Sequence, residues 1–239
     1  MTLNVNGTAA RSVAMGLERN GFAIAFTDST TASICSKASL EIDRLDTAGE
    51  LLPGTVAECG ANVARRADRI VWLTNVCDMS ATVHLRALWN AIDAFLFQCA
   101  PWISASKVHD PRQNHVPIIL GESTDAMVAV YGADGCAYAP HVDNPDGDGR
   151  ECQDDGRLLT AVVYLNASPW NMQHGGQLRL RSSTGQYLDV TPALGTIVFF
   201  RADALVHEVR PAFATRRAMT VWYMGRRKAN VDGAFLRSE

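Results

Sequence analysis

The sequence predicts a mainly β protein, an antiparallel jelly-roll with supporting N-terminal helices packed on one of its sheets. From residue 126 onward, short segments rich in β-branched and aromatic residues recur between turn signals. They are too closely spaced for the helices of βαβ units, which favours antiparallel pairing. The segments are AMVAVY, AYAPHV, LLTAVVYL, GQLRLR, GQYLDV, GTIVFF, ALVHEV and RAMTVWYM.

Helical periodicity dominates the part of the chain that precedes these strands. Residues 9–20, 31–48 and 81–98 are predicted helices, and the first ends at Asn20-Gly21, before the strand-like GFAIAF. In the third, Leu85, Leu88, Ile92 and Phe95 recur at helical spacing and define one buried face.

We expect a single catalytic domain over residues 1–239, because this length suits one core and all-β domains of this size commonly stay undivided. Residues 1–116 are interpreted as mainly helical support with early strands. Residues 117–225 form the β core, and 226–239 are a C-terminal tail.

Composition and charge narrow the classes of function. Apolar residues make up 47% of the chain and charged residues 20%, which is typical of globular proteins. With 22 Lys and Arg against 25 Asp and Glu, a nucleic-acid or anionic-membrane partner is not expected. No membrane span or secretory signal is recognisable, so we expect the protein in the cytoplasm and also in the nucleus. No CxxC pair is present, and we expect the thiols to be reduced. We also expect a monomer.

Two histidines and an aspartate indicate a metal site in the β core. His141 and Asp143 stand two positions apart in HVDNP, so on a strand both side chains leave from the same face. His207 follows in the strand-like ALVHEV. Two imidazoles and one carboxylate are the facial triad of non-haem Fe(II) oxygenases, which leaves coordination positions open.

An HxD pair alone is a weak signal, because most such pairs are loop polar residues or satisfied core histidines. Arg216 strengthens it, since a deep arginine is a natural partner for a carboxylate, although Arg216-Arg217 can equally be a solvated pair. Likewise Tyr131, Tyr164 and Trp222 alternate along apolar strands and, on sequence alone, fit core aromatics.

These motifs together resemble a known family. The strings MVAVYGADGCAYAPHVDNPDGDGR, VVYLN, GGQLRL and HEVRPAFATRRAMTVWY are similar to the intracellular prolyl 4-hydroxylases of the hypoxia-inducible-factor prolyl hydroxylase type. The resemblance implies a double-stranded β-helix (cupin-like) fold. It also implies that oxidative decarboxylation of 2-oxoglutarate is coupled to O₂-dependent C4 hydroxylation of a prolyl residue.

By this resemblance His141, Asp143 and His207 match the iron ligands, while Arg216 and Tyr164 match the residues that bind the distal carboxylate of 2-oxoglutarate. Other matched positions line the co-substrate pocket or lie near the target proline. The former are Tyr131, Leu178 and Thr220, and the latter are Arg150, Trp222, Tyr138, Arg66, Asp68 and Trp72.

The implied cofactor is Fe(II), with 2-oxoglutarate and O₂ as co-substrates and ascorbate as reductant. The implied partner is a protein carrying a target proline: a hypoxia-inducible factor, a cullin-ligase adaptor subunit or an elongation factor. The loop between Arg150 and Leu158 carries extra acidic and polar residues relative to this family, and no zinc-finger pattern precedes the β core, which favours the latter two. A nucleic-acid demethylase and a catalytically silent binding module on the same fold remain alternatives.

Overall fold

The computed structural model describes residues 7–54, 66–104, 118–144, 156–166, 169–182 and 185–227. The helices are α1 (Gly7–Asn20), α2 (Ser29–Thr47) and α3 (Val83–Ser104). The strands are β1 (Phe22–Phe26), β2 (Leu52–Pro53), β3 (Arg69–Trp72), β4 (Ile118–Ser123), β5 (Met127–Tyr131), β6 (Cys136–His141), β7 (Arg157–Tyr164), β8 (Leu178–Arg181), β9 (Tyr187–Val190), β10 (Thr196–Arg201), β11 (His207–Ala212) and β12 (Arg216–Arg227).

The strands form two antiparallel sheets. Within the described ranges, the large sheet has eight strands in the order β1-β10-β7-β12-β5-β3-β2, with β4 also paired to β12. The small sheet has four, in the order β6-β11-β8-β9. Strands that are neighbours in sequence mostly lie apart in the sheets, as crossing connections of a jelly-roll require, so the predicted fold class is confirmed.

The central strands of the large sheet are buried on both faces. On β12, Met219, Val221 and Tyr223 belong to the core that also contains the buried side chains of the helices. Ala218 and Trp222, on the opposite face, belong to two smaller clusters that include residues of the small sheet. Because successive strand residues point to opposite faces, one face of the large sheet carries the helices and the other closes a pocket against the small sheet.

Polar caps determine where the helices begin. The Asp28 carboxylate accepts a hydrogen bond of 2.8 Å from the Thr31 backbone N–H at the start of α2. At the start of α3 the buried carboxylate of Glu41, from α2, accepts bonds of 2.9 Å from the backbone N–H groups of His84 and Leu85. This second cap crosses between helices and fixes α3 relative to α2.

The predicted elements are present, with two differences. Each of the eight predicted strand segments overlaps one of the strands β5–β12. Helix α3 continues beyond residue 98 to Ser104 and includes Pro101. Two contacts hold its last turn: Ile103 is buried in the core, and the Arg11 guanidinium carbon lies 5.3 Å from the ring centre of the exposed Trp102. The strands β2 and β4 have no distinctive sequence pattern, and residues 55–65, between β2 and β3, lie outside the described ranges.

No helix among the described residues is long and apolar enough to span a lipid bilayer.

A buried ion pair stabilises the turn between β10 and β11. Arg201 donates to both carboxylate oxygens of Asp203 at 2.8 and 2.6 Å, and the two side chains are only 8% and 0% exposed. In the same turn, Leu205 N–H donates to the Arg201 carbonyl at 3.0 Å, and Ala202 O accepts from the Asn144 N–H at 2.8 Å. The turn therefore ties the start of β11 to the segment that follows β6.

Asp203→Ala is expected to lower the free energy of unfolding by about 3 kcal/mol, because it leaves the Arg201 guanidinium buried without its anion. The control is Asp189→Ala, which removes the same two-pronged contact from Arg179 where both side chains are partly exposed. That change is expected to cost less than about 1 kcal/mol. Urea unfolding of both variants measures the two changes in the free energy of unfolding. Equal losses would contradict a special stabilising role for the buried Arg201–Asp203 pair.

Candidate metal and co-substrate site

The small sheet brings two histidines side by side. His141 ends β6 and His207 begins β11, and the two residues are direct partners in the antiparallel register. Each ring hydrogen-bonds through Nδ1 to a carbonyl two residues earlier, His141 to Ala139 at 2.9 Å and His207 to Leu205 at 3.0 Å. Since a carbonyl only accepts, Nδ1 carries the proton in each ring and Nε2 presents a lone pair.

The third member, Asp143, lies just beyond the end of β6 rather than on the strand as predicted. Its Oδ1 atom stands 3.4 Å from His141 Nε2 and 3.6 Å from His207 Nε2. Its Oδ2 atom accepts hydrogen bonds of 2.7 Å from the Thr160 hydroxyl and 2.9 Å from the Trp222 indole N–H. One oxygen thus faces the imidazoles, and the other is held by the large sheet.

Burial and charge set the protonation of the triad. Burial lowers the pKa of His207 to about 4, so this imidazole is neutral near pH 7 and its Nε2 can donate a lone pair. Burial alone would raise the pKa of Asp143, but His207, His141 and the Thr160 hydrogen bond outweigh it and hold that pKa below its usual range. The site therefore offers a carboxylate beside imidazole.

One ligand atom from each triad residue lies within 4.8 Å of the others, the proximity that a single metal ion requires. The ligand set consists of two imidazole nitrogens and one carboxylate oxygen, without a thiolate. Such a set is more typical of an open Fe(II) site than of a closed structural zinc site. The sequence-predicted ligands are thus brought together.

A buried arginine defines the second part of the pocket. Arg216, at the start of β12, is 2% exposed, and its guanidinium carbon lies 4.9 Å from the Tyr131 ring centre and 5.0 Å from that of Tyr164. Its Nε donates to the Gly176 carbonyl at 2.8 Å. A Cβ atom at Gly176 would stand 2.9 Å from Arg216 Cδ, and the φ of Gly176 is +68°, so glycine is required there.

The Tyr164 hydroxyl is buried, and it has no hydrogen-bond partner among the described residues. Burial raises its pKa to about 12, so it is a neutral donor at physiological pH. A lone buried hydroxyl beside a buried guanidinium is costly unless a ligand pairs with it. Together Tyr164 and Arg216 fit a carboxylate, as expected for the distal end of 2-oxoglutarate.

The two remaining predicted pocket residues are also buried. Leu178 is 2% exposed and packs in the same cluster as Tyr164. Thr220 is 8% exposed and stands between Ala218 and Trp222 on the pocket face of β12.

Most of the residues expected near a target proline form a second, aromatic part of the pocket. The Trp72 and Trp222 ring centres are 5.7 Å apart, and Tyr138 stacks on His141 at 3.8 Å. Arg66 binds both oxygens of buried Asp68, at 2.7 and 2.6 Å, and covers Tyr138 at 5.2 Å. Arg150 and residues 151–155 of the predicted extra loop lie outside the described ranges.

Sequence reasoning missed two contributors. Thr160 and Tyr164 share one face of β7, so strand alternation back from Tyr164 was a signal for Thr160. Arg157, the first residue of β7, lies with its guanidinium carbon 5.2 Å from the Trp222 ring centre, and no sequence motif pointed to it. The hydrogen bond from Trp222 to Asp143 had no sequence signal, because it joins distant positions of the chain.

Comparison with known proteins agrees with this site. The sequence pattern of the 2OG-Fe(II) oxygenase superfamily matches residues 126–224, which include the triad, Tyr164 and Arg216. Human prolyl hydroxylase EGLN3 is 31% identical over 230 residues, which cover 93% of this chain and 86% of the relative. Human Egl nine homolog 1 is 31% identical over 77% of this chain and 39% of its own length.

Solved structures extend the likeness to the fold. One is a Trichoplax adhaerens prolyl hydroxylase in complex with a hypoxia-inducible-factor oxygen degradation domain peptide. Its TM-score is 0.73 and its sequence identity 27%, and the match covers 91% of this chain and 90% of that chain. A Pseudomonas putida prolyl-4-hydroxylase has a TM-score of 0.66 with 26% identity, covering 92% of this chain and 100% of that chain. With this identity along nearly its whole length, the chain belongs to the 2-oxoglutarate- and Fe(II)-dependent oxygenases and, within them, to the EGLN prolyl hydroxylase family.

Proposed function

We propose that this protein is a protein prolyl 4-hydroxylase that uses Fe(II), 2-oxoglutarate and O₂. The observation that carries the proposal is that one pocket contains both the triad of His141, Asp143 and His207 and the buried polar side chains of Arg216 and Tyr164. A catalytically silent module has no physical reason to keep a carboxylate and a guanidinium buried in this way.

The division of labour follows from the contacts. When bound, Fe(II) with 2-oxoglutarate and O₂ supplies the oxidising power, and succinate and CO₂ are the co-products. His141 and His207 would hold the metal through Nε2, and Asp143 would hold it through Oδ1. Arg216 and Tyr164 orient the co-substrate by its distal carboxylate, and the apolar walls around them exclude water.

The aromatic part of the pocket supports a prolyl substrate. Trp72, Trp222 and Tyr138 present ring faces beside the triad, and a pyrrolidine ring packs well on such faces. The guanidinium groups of Arg66 and Arg157 lie over the Tyr138 and Trp222 rings and place positive charge beside this aromatic surface.

The protein that carries the proline belongs to one of three classes: a hypoxia-inducible factor, a cullin-ligase adaptor subunit or an elongation factor. The likeness to an enzyme bound to a hypoxia-inducible-factor peptide supports the first. The extra residues after Arg150 support a different peptide preference, because in the sequence they come directly before the strand that carries Arg157. A cytoplasmic location and ascorbate as the reductant are part of the proposal.

His141→Ala is expected to abolish Fe(II)-dependent succinate formation, because one of the three ligands is lost. His174→Ala is the matched control, since His174 caps a short 3-10 turn at Met172–His174 and has no part in the triad. Succinate release with iron, ascorbate and a prolyl peptide measures the effect. Retained iron-dependent turnover in His141→Ala would refute the triad.

Arg216→Lys is expected to raise the KM for 2-oxoglutarate about 10- to 100-fold, because a planar two-pronged donor is replaced by a point charge. Arg217→Lys is the neighbouring control. Its side chain lies on the other face of β12, where it pairs with Asp43 at 2.6 Å, and the KM is expected to be unchanged. Equal KM values for the two variants would exclude Arg216 as the carboxylate partner.

The substrate is identified by incubating the iron-loaded enzyme with 2-oxoglutarate and a lysate of host cells, followed by mass spectrometry of tryptic peptides. One prolyl site that gains a single oxygen atom is the expected result, and it must be missing in the His141→Ala reaction. Succinate formation without oxidation of any prolyl peptide would contradict a prolyl hydroxylase.

A further inference from the structure

Trp222 contacts the metal-ligand set directly, in addition to its packing against the other aromatic residues of the pocket. Its indole N–H donates a hydrogen bond of 2.9 Å to Asp143 Oδ2, the carboxylate oxygen that faces away from the two imidazoles. The Thr160 hydroxyl donates to the same oxygen at 2.7 Å. From these contacts we infer that Trp222, together with Thr160, is a positioning residue that presents Asp143 to the metal through Oδ1 alone.

The geometry of the carboxylate supports this assignment. Oδ1 lies 3.4 and 3.6 Å from the Nε2 atoms of His141 and His207, on the side where the ligand atoms converge. A carboxylate rotates easily about its Cβ–Cγ bond unless both oxygens are engaged. Two donors on Oδ2 remove that freedom, so the second oxygen does not turn toward the metal and occupy a position that the co-substrate and O₂ need.

The placement of the two donors follows from the large sheet. Thr160 on β7 and Trp222 on β12 are direct register partners, and both point to the pocket face. The carboxylate comes from the segment after β6, in the small sheet. The two hydrogen bonds therefore join the sheets at the metal site, and packing of the large sheet sets the orientation of a ligand that belongs to the small one.

The indole is in contact with two residues at the peptide side of the pocket. The Trp72 ring centre lies 5.7 Å from that of Trp222, and the Arg157 guanidinium carbon lies 5.2 Å from it. A peptide that packs against Trp72 or Arg157 therefore contacts a direct neighbour of Trp222, the side chain that orients Asp143. The inference rests on the proposed metal site but does not depend on which protein is the substrate.

The test measures metal binding without turnover. Mn(II) is titrated into each protein without 2-oxoglutarate, and the free ion is followed by electron paramagnetic resonance. Trp222→Phe keeps an aromatic ring and removes the N–H, and Thr160→Val keeps the shape and removes the hydroxyl. Each is expected to weaken Mn(II) binding by about 10-fold or more, the usual effect of losing an outer hydrogen bond to a metal ligand.

Replacing Trp222 by β-(3-benzothienyl)alanine is the sharper variant, because sulfur takes the place of the N–H at almost the same shape. It is expected to weaken binding as much as Trp222→Phe does. Trp72→Phe is the matched control, since it perturbs the same aromatic stack but leaves the Trp222 and Thr160 hydrogen bonds to Asp143 intact, and its Mn(II) affinity is expected within twofold of wild type.

The outcomes separate the possible failures. Wild-type affinity in both Trp222→Phe and the benzothienylalanine variant would overturn the positioning role. Equal weakening in Trp72→Phe would also overturn it, because the effect would then arise from ring packing. If Trp222→Phe fails to fold, judged by far-ultraviolet circular dichroism, Thr160→Val and the benzothienylalanine variant decide. Wild-type protein that binds no Mn(II) would contradict the metal site itself, which the proposed function requires.

Discussion

The central strands of the large sheet are buried on both faces, and this constraint determines the rest of the molecule. Along β12, alternate residues belong to the helix-packed core and to the pocket, so Met219 and Val221 serve one layer while Arg216 and Trp222 serve the other. β5, β7 and β10 alternate in the same way. The helices are needed because a sheet with a functional pocket on one face must bury its other face elsewhere.

Several charges are buried where burial is costly, in the pocket and in the turn between β10 and β11, and most of them have a specific partner. Arg201 pairs with Asp203, Arg66 pairs with Asp68, and Asp143 accepts from Thr160 and Trp222. Arg216 and Tyr164 are the exception, because the guanidinium bonds to the Gly176 carbonyl through Nε and the hydroxyl has no partner among the described residues. A buried guanidinium and a buried hydroxyl side by side, without an anionic partner among the described residues, are typical of a binding site for an anion.

Much of the fold and of the metal site could be predicted from local patterns. Alternation of apolar and polar residues between turn residues predicts the strands β5–β12. The family motifs point to the site residues His141, Asp143, His207 and Arg216. The short strand β2 could not be predicted, because Leu52 and Pro53 have strand geometry only through pairing with β3. The end of α3 was missed for a similar reason, since the contacts of Ile103 and Trp102 outweigh the helix-breaking tendency of Pro101.

The sequence by itself determined the residue types of the site, the strand faces of the residues that stand on strands, and the family to which the chain belongs. Only the tertiary structure decided which groups meet. It placed the indole of Trp222 on Asp143 Oδ2 and put Arg157 against the same ring. The physical reason is that hydrogen bonds between two sheets depend on how the sheets pack, whereas alternation along one strand depends only on the covalent geometry of the backbone.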